Sequence, residues 1–195
     1  MSELKPSEPS ELTANTQKLP AINTGERFLA QQEEVRQMIA AGLPLSEILA
    51  QLVLMIESQT PDMLCSILLI SDDGNHVRHA VAPSLPESYV KVIDGSPIGP
   101  KHGSCGTAMF RGEPVTVSDI LTDPLWDDYR DHALAIGMRA CWSTPIMSSK
   151  GKVLGSFAMY YRDPRSPDGE ERHLTEVATK LAAEAIEHKV RQQAK

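Results

Sequence analysis

The chain has 195 residues, 41% of them hydrophobic and 23% charged, which is enough for one domain with a substantial core and too little for two. Its formal net charge is -7, and no local run of Lys or Arg is there to neutralise phosphates, so nucleic acid is not an expected partner. No apolar stretch reaches the roughly 18 residues that span a bilayer, and the first residues lack the positive region and apolar core of a secretory signal.

Residues 1–23 are rich in Ser, Pro, Glu and Thr and poor in large apolar side chains, a composition that predicts a disordered tail. From Thr24 a helical pattern places Phe28, Gln31, Val35, Met38 and Ile39 roughly on one face and ends near Gly42 and Pro44. A second helix is predicted over Leu45–Ser58, with Ile48, Leu49, Leu52, Met55 and Ile56 as its apolar stripe. Leu64–Ser71 is apolar on both alternating faces, which fits a central strand covered on both sides. Asp72-Asp73-Gly74-Asn75 is a turn, and His76–Val81 is the returning strand of a hairpin.

A short helix is predicted over Pro86–Ile93, another helix over Ser104–Arg111 and a short strand over Pro114–Val117. Pro124–Ile136 reads as a single helix ended by Gly137. Arg139–Ser148 and Lys152–Tyr161 are strands joined through Ser149-Lys150-Gly151, and a last helix runs over Gly169–Gln193. In that helix Leu174, Ala178, Leu181 and Ala185 are spaced four, three and four apart. The spacing suits either core packing or a dimer seam. The order of elements predicts an α+β fold, with one antiparallel sheet between terminal helices and middle helices. The expected division is the tail at 1–23, an N-terminal helix at 24–43 and a domain at 44–190.

Two segments carry residues suited to chemistry. Cys105 stands beside Gly106 at the expected start of a helix, where backbone N–H groups and the helix dipole favour a thiolate. Lys101 and His102 lie just upstream and add positive field; the plain alternative is a small buried residue at a tight helix start. Cys141 falls on a strand, and alternation places it with Ser143 on one face and Trp142 with Thr144 on the other, so only one pair faces a pocket. Cys65 belongs to the first strand and reads as core. In the predicted helix after Pro124, Trp126, Tyr129 and Ala133 share a face suited to stacking a planar ligand. Asp128 and His132 share another, but two such ligands make no metal motif, and no metal is expected. An odd number of cysteines suggests no secreted disulfide framework, and the cytoplasm is the expected compartment.

Four stretches in order resemble the GAF domain family of small-molecule sensory modules. They are Gly103-Ser104-Cys105-Gly106-Thr107-Ala108, Val117-Ser118-Asp119-Ile120, Arg139 through Ile146, and Gly151 through Phe157. The resemblance implies a GAF-like central antiparallel β-sheet of about six strands, with terminal helices on one face. Short helices and loops would cover a ligand pocket on the other. It also implies a homodimer through the terminal helices and a signalling partner or output domain that reads the state. The implied ligand-binding residues are Gly103, Ser104, Cys105, Trp126, Tyr129, His132, Cys141, Trp142 and Ser143. The family's ligands are diverse, so the resemblance assigns no particular ligand or cofactor. An enzyme is the alternative. Free methionine-(R)-sulfoxide reductase has this fold, and its Val-Cys-Gly segment is similar to Ser104-Cys105-Gly106. That enzyme carries its attacking cysteine after the short strand, where this chain has none between Ser118 and Met138.

Overall fold

The computed structural model of the chain describes residues 24–194; the expected tail at 1–23 lies outside the described residues. Helices α1 (Thr24–Ala40) and α2 (Leu45–Glu57) lead into strands β1 (Leu64–Ile70) and β2 (Val77–Val81). Helices α3 (Glu87–Ile93) and α4 (Gly103–Arg111), strand β3 (Val115–Val117) and helix α5 (Arg130–Ala135) form the middle. Strands β4 (Ala140–Met147) and β5 (Val153–Tyr161) and helix α6 (Gly169–Gln193) complete the fold. The strands make one antiparallel sheet in the order β2-β1-β5-β4-β3. Among the described residues the sheet has five strands, where about six were expected. Ahead of α4 the chain meets the start of β2 in an isolated bridge, His76 with Pro97, flanked by hydrogen bonds from the Val77 N–H to the Ser96 carbonyl and from the Ile98 N–H to the Asn75 carbonyl, and forms no sixth strand. Pro97 and Pro100 have no N–H with which to extend a ladder there.

Alternation along the central strands sends side chains to two separate cores. Cys65, Ile67 and Leu69 of β1, Phe157, Met159 and Tyr161 of β5, and Ala140, Trp142 and Ile146 of β4 pack with α1, α2 and α6. Leu68 of β1, Ala158 and Tyr160 of β5, and Cys141 of β4 pack with α3, α4 and α5. The Leu174, Ala178, Leu181 and Ala185 row of α6 is buried in the first of these cores. Its four-three-four spacing therefore serves packing within the chain, and this row does not face a second subunit. The start of α6 is fixed reciprocally. The Glu171 N–H donates to the Asp168 side chain and the Asp168 N–H donates to the Glu171 carboxylate, each at 2.9 Å.

Two glycines shape the entry to α4. Gly103 sits at φ 59°, a left-handed conformation that side chains disfavour. A Cβ on Gly106 would lie 2.8 Å from the Pro97 carbonyl oxygen, so the preceding loop packs directly on the helix backbone.

The predicted helix from Pro124 to Ile136 is divided. A 3-10 turn over Pro124–Trp126 is separated from α5 by residues 127–129. Local hydrogen bonds explain the break. The Asp123 carboxylate accepts from the Leu125 N–H at 2.8 Å. The Arg130 guanidinium donates to the carbonyls of Ile120 and Asp123 and to the Asp127 carboxylate. These bonds hold the segment as a folded-back lid instead of a rod.

Candidate functional site

A cavity lies between the sheet and the lid. It is lined by Leu68, Tyr89, Ser104, Cys105, Trp126 and Tyr160, with His102, Gly103 and Tyr129 near its mouth. Its open volume is about 20 Å³, room for about one water molecule. Four aromatic rings, those of Tyr89, Trp126, Tyr129 and Tyr160, are among its walls. Tyr89 and Tyr160 meet edge to face, with ring centroids 6.1 Å apart.

Ser104 is the central tie. Its hydroxyl donates to the Cys141 carbonyl oxygen at 3.0 Å and accepts from Trp126 Nε1–H at 3.1 Å. One buried hydroxyl thus joins helix α4, strand β4 and the lid. Cys105 follows it and keeps 8% of its surface exposed, toward the cavity. Tyr160 stands opposite Cys141 in the β4–β5 register. Its hydroxyl hydrogen-bonds with Ser66 Oγ at 3.1 Å and lies 3.9 Å from Cys105 Sγ.

The surroundings of Cys105 are those of a stabilised thiolate. The Cys141 thiol is the strongest influence lowering its pKa; the Ser143, Tyr160 and Ser156 hydroxyls add to it and burial opposes, leaving the thiol at about 7. Burial pushes Cys141 well up, and its neighbour Cys105 pushes it further. Ser143 Oγ and Ser156 Oγ are buried without a hydrogen-bond partner, as are Tyr89 Oη and His102 Nδ1. A buried unpaired hydroxyl costs about 1–3 kcal/mol. The Ser143 and Ser156 hydroxyls lie at Cys105 and favour its charged form. The positive field expected from Lys101 is directed elsewhere, because Lys101 pairs with Asp127 at 2.5 Å.

The structure brings together Gly103, Ser104, Cys105, Trp126 and Tyr129 around the cavity. Cys141 and Ser143 lie behind Cys105 on the same face of the sheet. Two of the expected ligand-binding residues are placed elsewhere. Trp142 projects to the opposite face, as alternation with Cys141 requires, and donates from Nε1 to the Arg165 carbonyl at 3.1 Å. His132 is exposed on α5, and with the helix broken before Arg130 it does not line the cavity. Among the described residues no group of three His, Cys, Asp or Glu side chains is gathered as for a metal ion.

Tyr89, Tyr160, Ser66 and Ser156 were not foreseen. Ser66 and Ser156 carried a signal, as hydroxyls within otherwise apolar strands. Tyr160 becomes identifiable once Cys141 is placed opposite it, and that needs the strand register. Nothing in the sequence of α3 distinguishes Tyr89.

Directly behind the cavity lies a clamp on α6. Tyr161 Oη–H donates to the Glu171 carboxylate at 2.6 Å, and the Arg165 guanidinium donates to the same oxygen at 2.7 Å. Arg165 also stacks over the Tyr161 ring at 4.3 Å and the Trp142 ring at 5.6 Å. Glu171, 2% exposed, is the carboxylate that completes the cap of α6. Burial and the bond to Glu171 raise the Tyr161 pKa, so its hydroxyl stays a donor.

A small cavity under a lid, on one side of an antiparallel sheet whose other side carries the first and last helices, defines a sensory-domain architecture. The model of the GAF domain family matches residues 42–187, and the chain belongs to that family. It is 37% identical over 163 residues to a methyl sulfide methyltransferase-associated sensor of Methanosarcina acetivorans. That match takes in 84% of this chain and 16% of the relative, so the chain spans only a small part of that protein's length. Among solved structures it resembles the GAF domain of a phosphoenolpyruvate-protein phosphotransferase from Coxiella burnetii, with a TM-score of 0.66 and 20% identity. That superposition covers 89% of this chain and 100% of the other. It also resembles free methionine-R-sulfoxide reductase from Neisseria meningitidis, with a TM-score of 0.63 and 18% identity, over 86% and 92% of the two chains. At these identities the structural likenesses show the fold. Among the described residues no helix is long and apolar enough to cross a membrane.

Proposed function

We propose that the chain is a cytoplasmic signal-transduction module in which the cavity under the lid receives a small molecule or a redox signal at Cys105. The terminal helices pass the resulting state to a partner or output domain. The supporting observation is the adjacency of Tyr160 and Tyr161. Tyr160 walls the cavity, while Tyr161, on the other side of the same strand, holds the first turn of α6 through Glu171. Cys141 and Trp142 repeat this relation on β4. A change in packing at the cavity therefore acts on backbone that also positions α6.

The cavity holds about one water, so a larger ligand enters by displacing the lid, with loss of the Trp126–Ser104 hydrogen bond. Such a ligand must favour the open arrangement over the closed one, because equal affinity for both shifts nothing. The proposed homodimer uses outward surfaces of the terminal helices, such as those carrying Leu29 and Val190, which are exposed.

The reductase reading has less support. Ser118 to Met138 supplies no attacking cysteine, and the thiol beside Cys105 comes from β4.

Native mass spectrometry of freshly purified protein, beside a denatured sample, tests ligand occupancy and gives the ligand's mass. Hydrogen exchange on the same sample tests the relay. Bound ligand is expected to change exchange in α4 and in the first turn of α6 together. A change confined to α4 and the lid would sink the relay.

A further inference from the structure

Cys105 and Cys141 are neighbouring thiols on opposite walls of one packed joint. Cys105 is presented by the first turn of α4, and Cys141 by β4 beneath it. A hydrogen bond from Ser104 Oγ to the Cys141 carbonyl ties the residue before Cys105 to Cys141 itself. A disulfide needs the two backbones close together; the Ser104 tie and the side-chain interaction between the two thiols bring Cys105 and Cys141 together here. Cys65, the remaining cysteine, projects to the other face of the sheet and is fully buried. Its thiol is raised by burial and by the Glu57 carboxylate, whose oxygen accepts the Cys65 N–H.

The space in front of Cys105 sets the size of what can reach it. About 20 Å³ admits a molecule little larger than water. A bulky disulfide or an amino-acid sulfoxide requires the lid to leave first. Around the sulfur stand the Tyr160 hydroxyl at 3.9 Å and the unpaired hydroxyls of Ser143 and Ser156. These are donors for a thiolate and for oxygen atoms arriving at it.

We propose that Cys105 and Cys141 are a peroxide-reactive thiol pair, with hydrogen peroxide as the substrate admitted to the cavity and a Cys105–Cys141 disulfide as the product. The chemistry balances in two steps. The Cys105 thiolate attacks one peroxide oxygen, an S–O bond forms and the O–O bond breaks. Sulfur gives up two electrons, and the departing oxygen takes a proton to leave as water. Cys141 then attacks the sulfenic sulfur, the S–S bond forms, the S–O bond breaks, and the departing oxygen leaves as a second water with the Cys141 proton. In sum, two thiols and one hydrogen peroxide give one disulfide and two waters. The order of attack follows from position, because Cys105 borders the cavity and Cys141 is wholly buried behind it. The inference rests on the reading of this cavity as the sensing site, and it names the signal as a small hydroperoxide.

The test uses the whole chain, reduced, freed of reductant and exposed under native conditions to hydrogen peroxide or, separately, to glutathione disulfide. After unfolding and alkylation of the remaining thiols, peptide mapping is expected to show a Cys105–Cys141 link with peroxide, an alkylated Cys65, and no link with glutathione disulfide. In Cys141→Ser, treated with peroxide in the folded state and then unfolded in denaturant containing dimedone, a dimedone adduct of the sulfenic acid is expected at Cys105. Cys65→Ser is expected to form the link at the wild-type rate. Oxidation of all three cysteines at similar rates, or stable Cys105 overoxidation in the wild type without the link, would overturn the inference. Mapping of the wild-type chain decides this even if a variant fails to fold. Hydrogen exchange on the oxidised protein separates the two readings. Absence of the link removes the thiol chemistry and leaves ligand-driven sensing in place. A link that leaves exchange in the first turn of α6 unchanged supports the thiol site and removes the relay.

Discussion

The two faces of the sheet are built from different materials. Against α1, α2 and α6 the strands present Ile67, Phe157, Met159 and Ile146, a continuous apolar core in which Glu171 has every oxygen engaged. Against α4 and the lid they present Ser66, Cys141, Ser143, Ser156 and Tyr160, and several polar atoms there lack a partner. A face optimised for stability has no reason to bury unpaired hydroxyls beside a thiol, since each costs about 1–3 kcal/mol. The contrast teaches that stability is concentrated on the helical face. The α4 face carries groups whose bonding is completed only when a charge or a ligand arrives.

The largest expected effect tests the helical face directly. Phe157→Ala removes a ring that is 0% exposed and should lower unfolding stability by about 3–5 kcal/mol, read as a shift in the urea midpoint. A loss under about 1 kcal/mol would mean that this core is not where the stability lies. Tyr161→Phe removes one donor from the buried Glu171 and leaves Arg165 on the same oxygen. It should cost about 1.5–3 kcal/mol, with faster exchange at the start of α6. Trp126→Phe keeps an aromatic lid and removes only the Nε1–H bond to Ser104. It should cost about 1 kcal/mol and raise exchange in the lid and α4 while the helical face is unaffected.

Much of the fold was legible in the sequence, but not this contrast. The Leu64–Ser71 strand with both faces apolar, the hairpin turns and the helical stripes pointed to the α+β architecture. The position of Cys105 at a helix start picked out a residue that the structure places on the cavity wall. Cys141 and Trp142 show where that reading stopped. Alternation stated that they face opposite ways, and only the packing of α4 against Cys141 decides which face is the cavity. The lid was misread as one helix because periodicity at Trp126, Tyr129 and Ala133 survives the break at Tyr129. The carbonyls of Ile120 and Asp123 that Arg130 engages belong to backbone, which a side-chain pattern does not display. Likewise the Tyr160–Cys141 pairing depends on strand register, a property of two segments at once.

The smallest change in stability carries the sharpest separation of the two faces. Ser143→Ala deletes a buried hydroxyl that has no hydrogen-bond partner, so stability should stay within about 0.5 kcal/mol of the wild type or rise. The same hydroxyl helps to lower the Cys105 pKa. The thiolate is the reactive form, so the wild-type rate of Cys105 oxidation by hydrogen peroxide, which fits the cavity, should rise as pH increases through about 7. In Ser143→Ala the midpoint should move to higher pH, by about one unit, because the thiolate has lost a donor and the thiol has lost nothing. A serine kept for packing would behave in the opposite way, costing stability on removal and leaving the profile where it was. Mass spectrometry of the peroxide-oxidised Cys105 peptide across pH, alongside urea unfolding of the same variant, distinguishes the two. An unchanged midpoint with reduced stability would make the α4 face a second structural core.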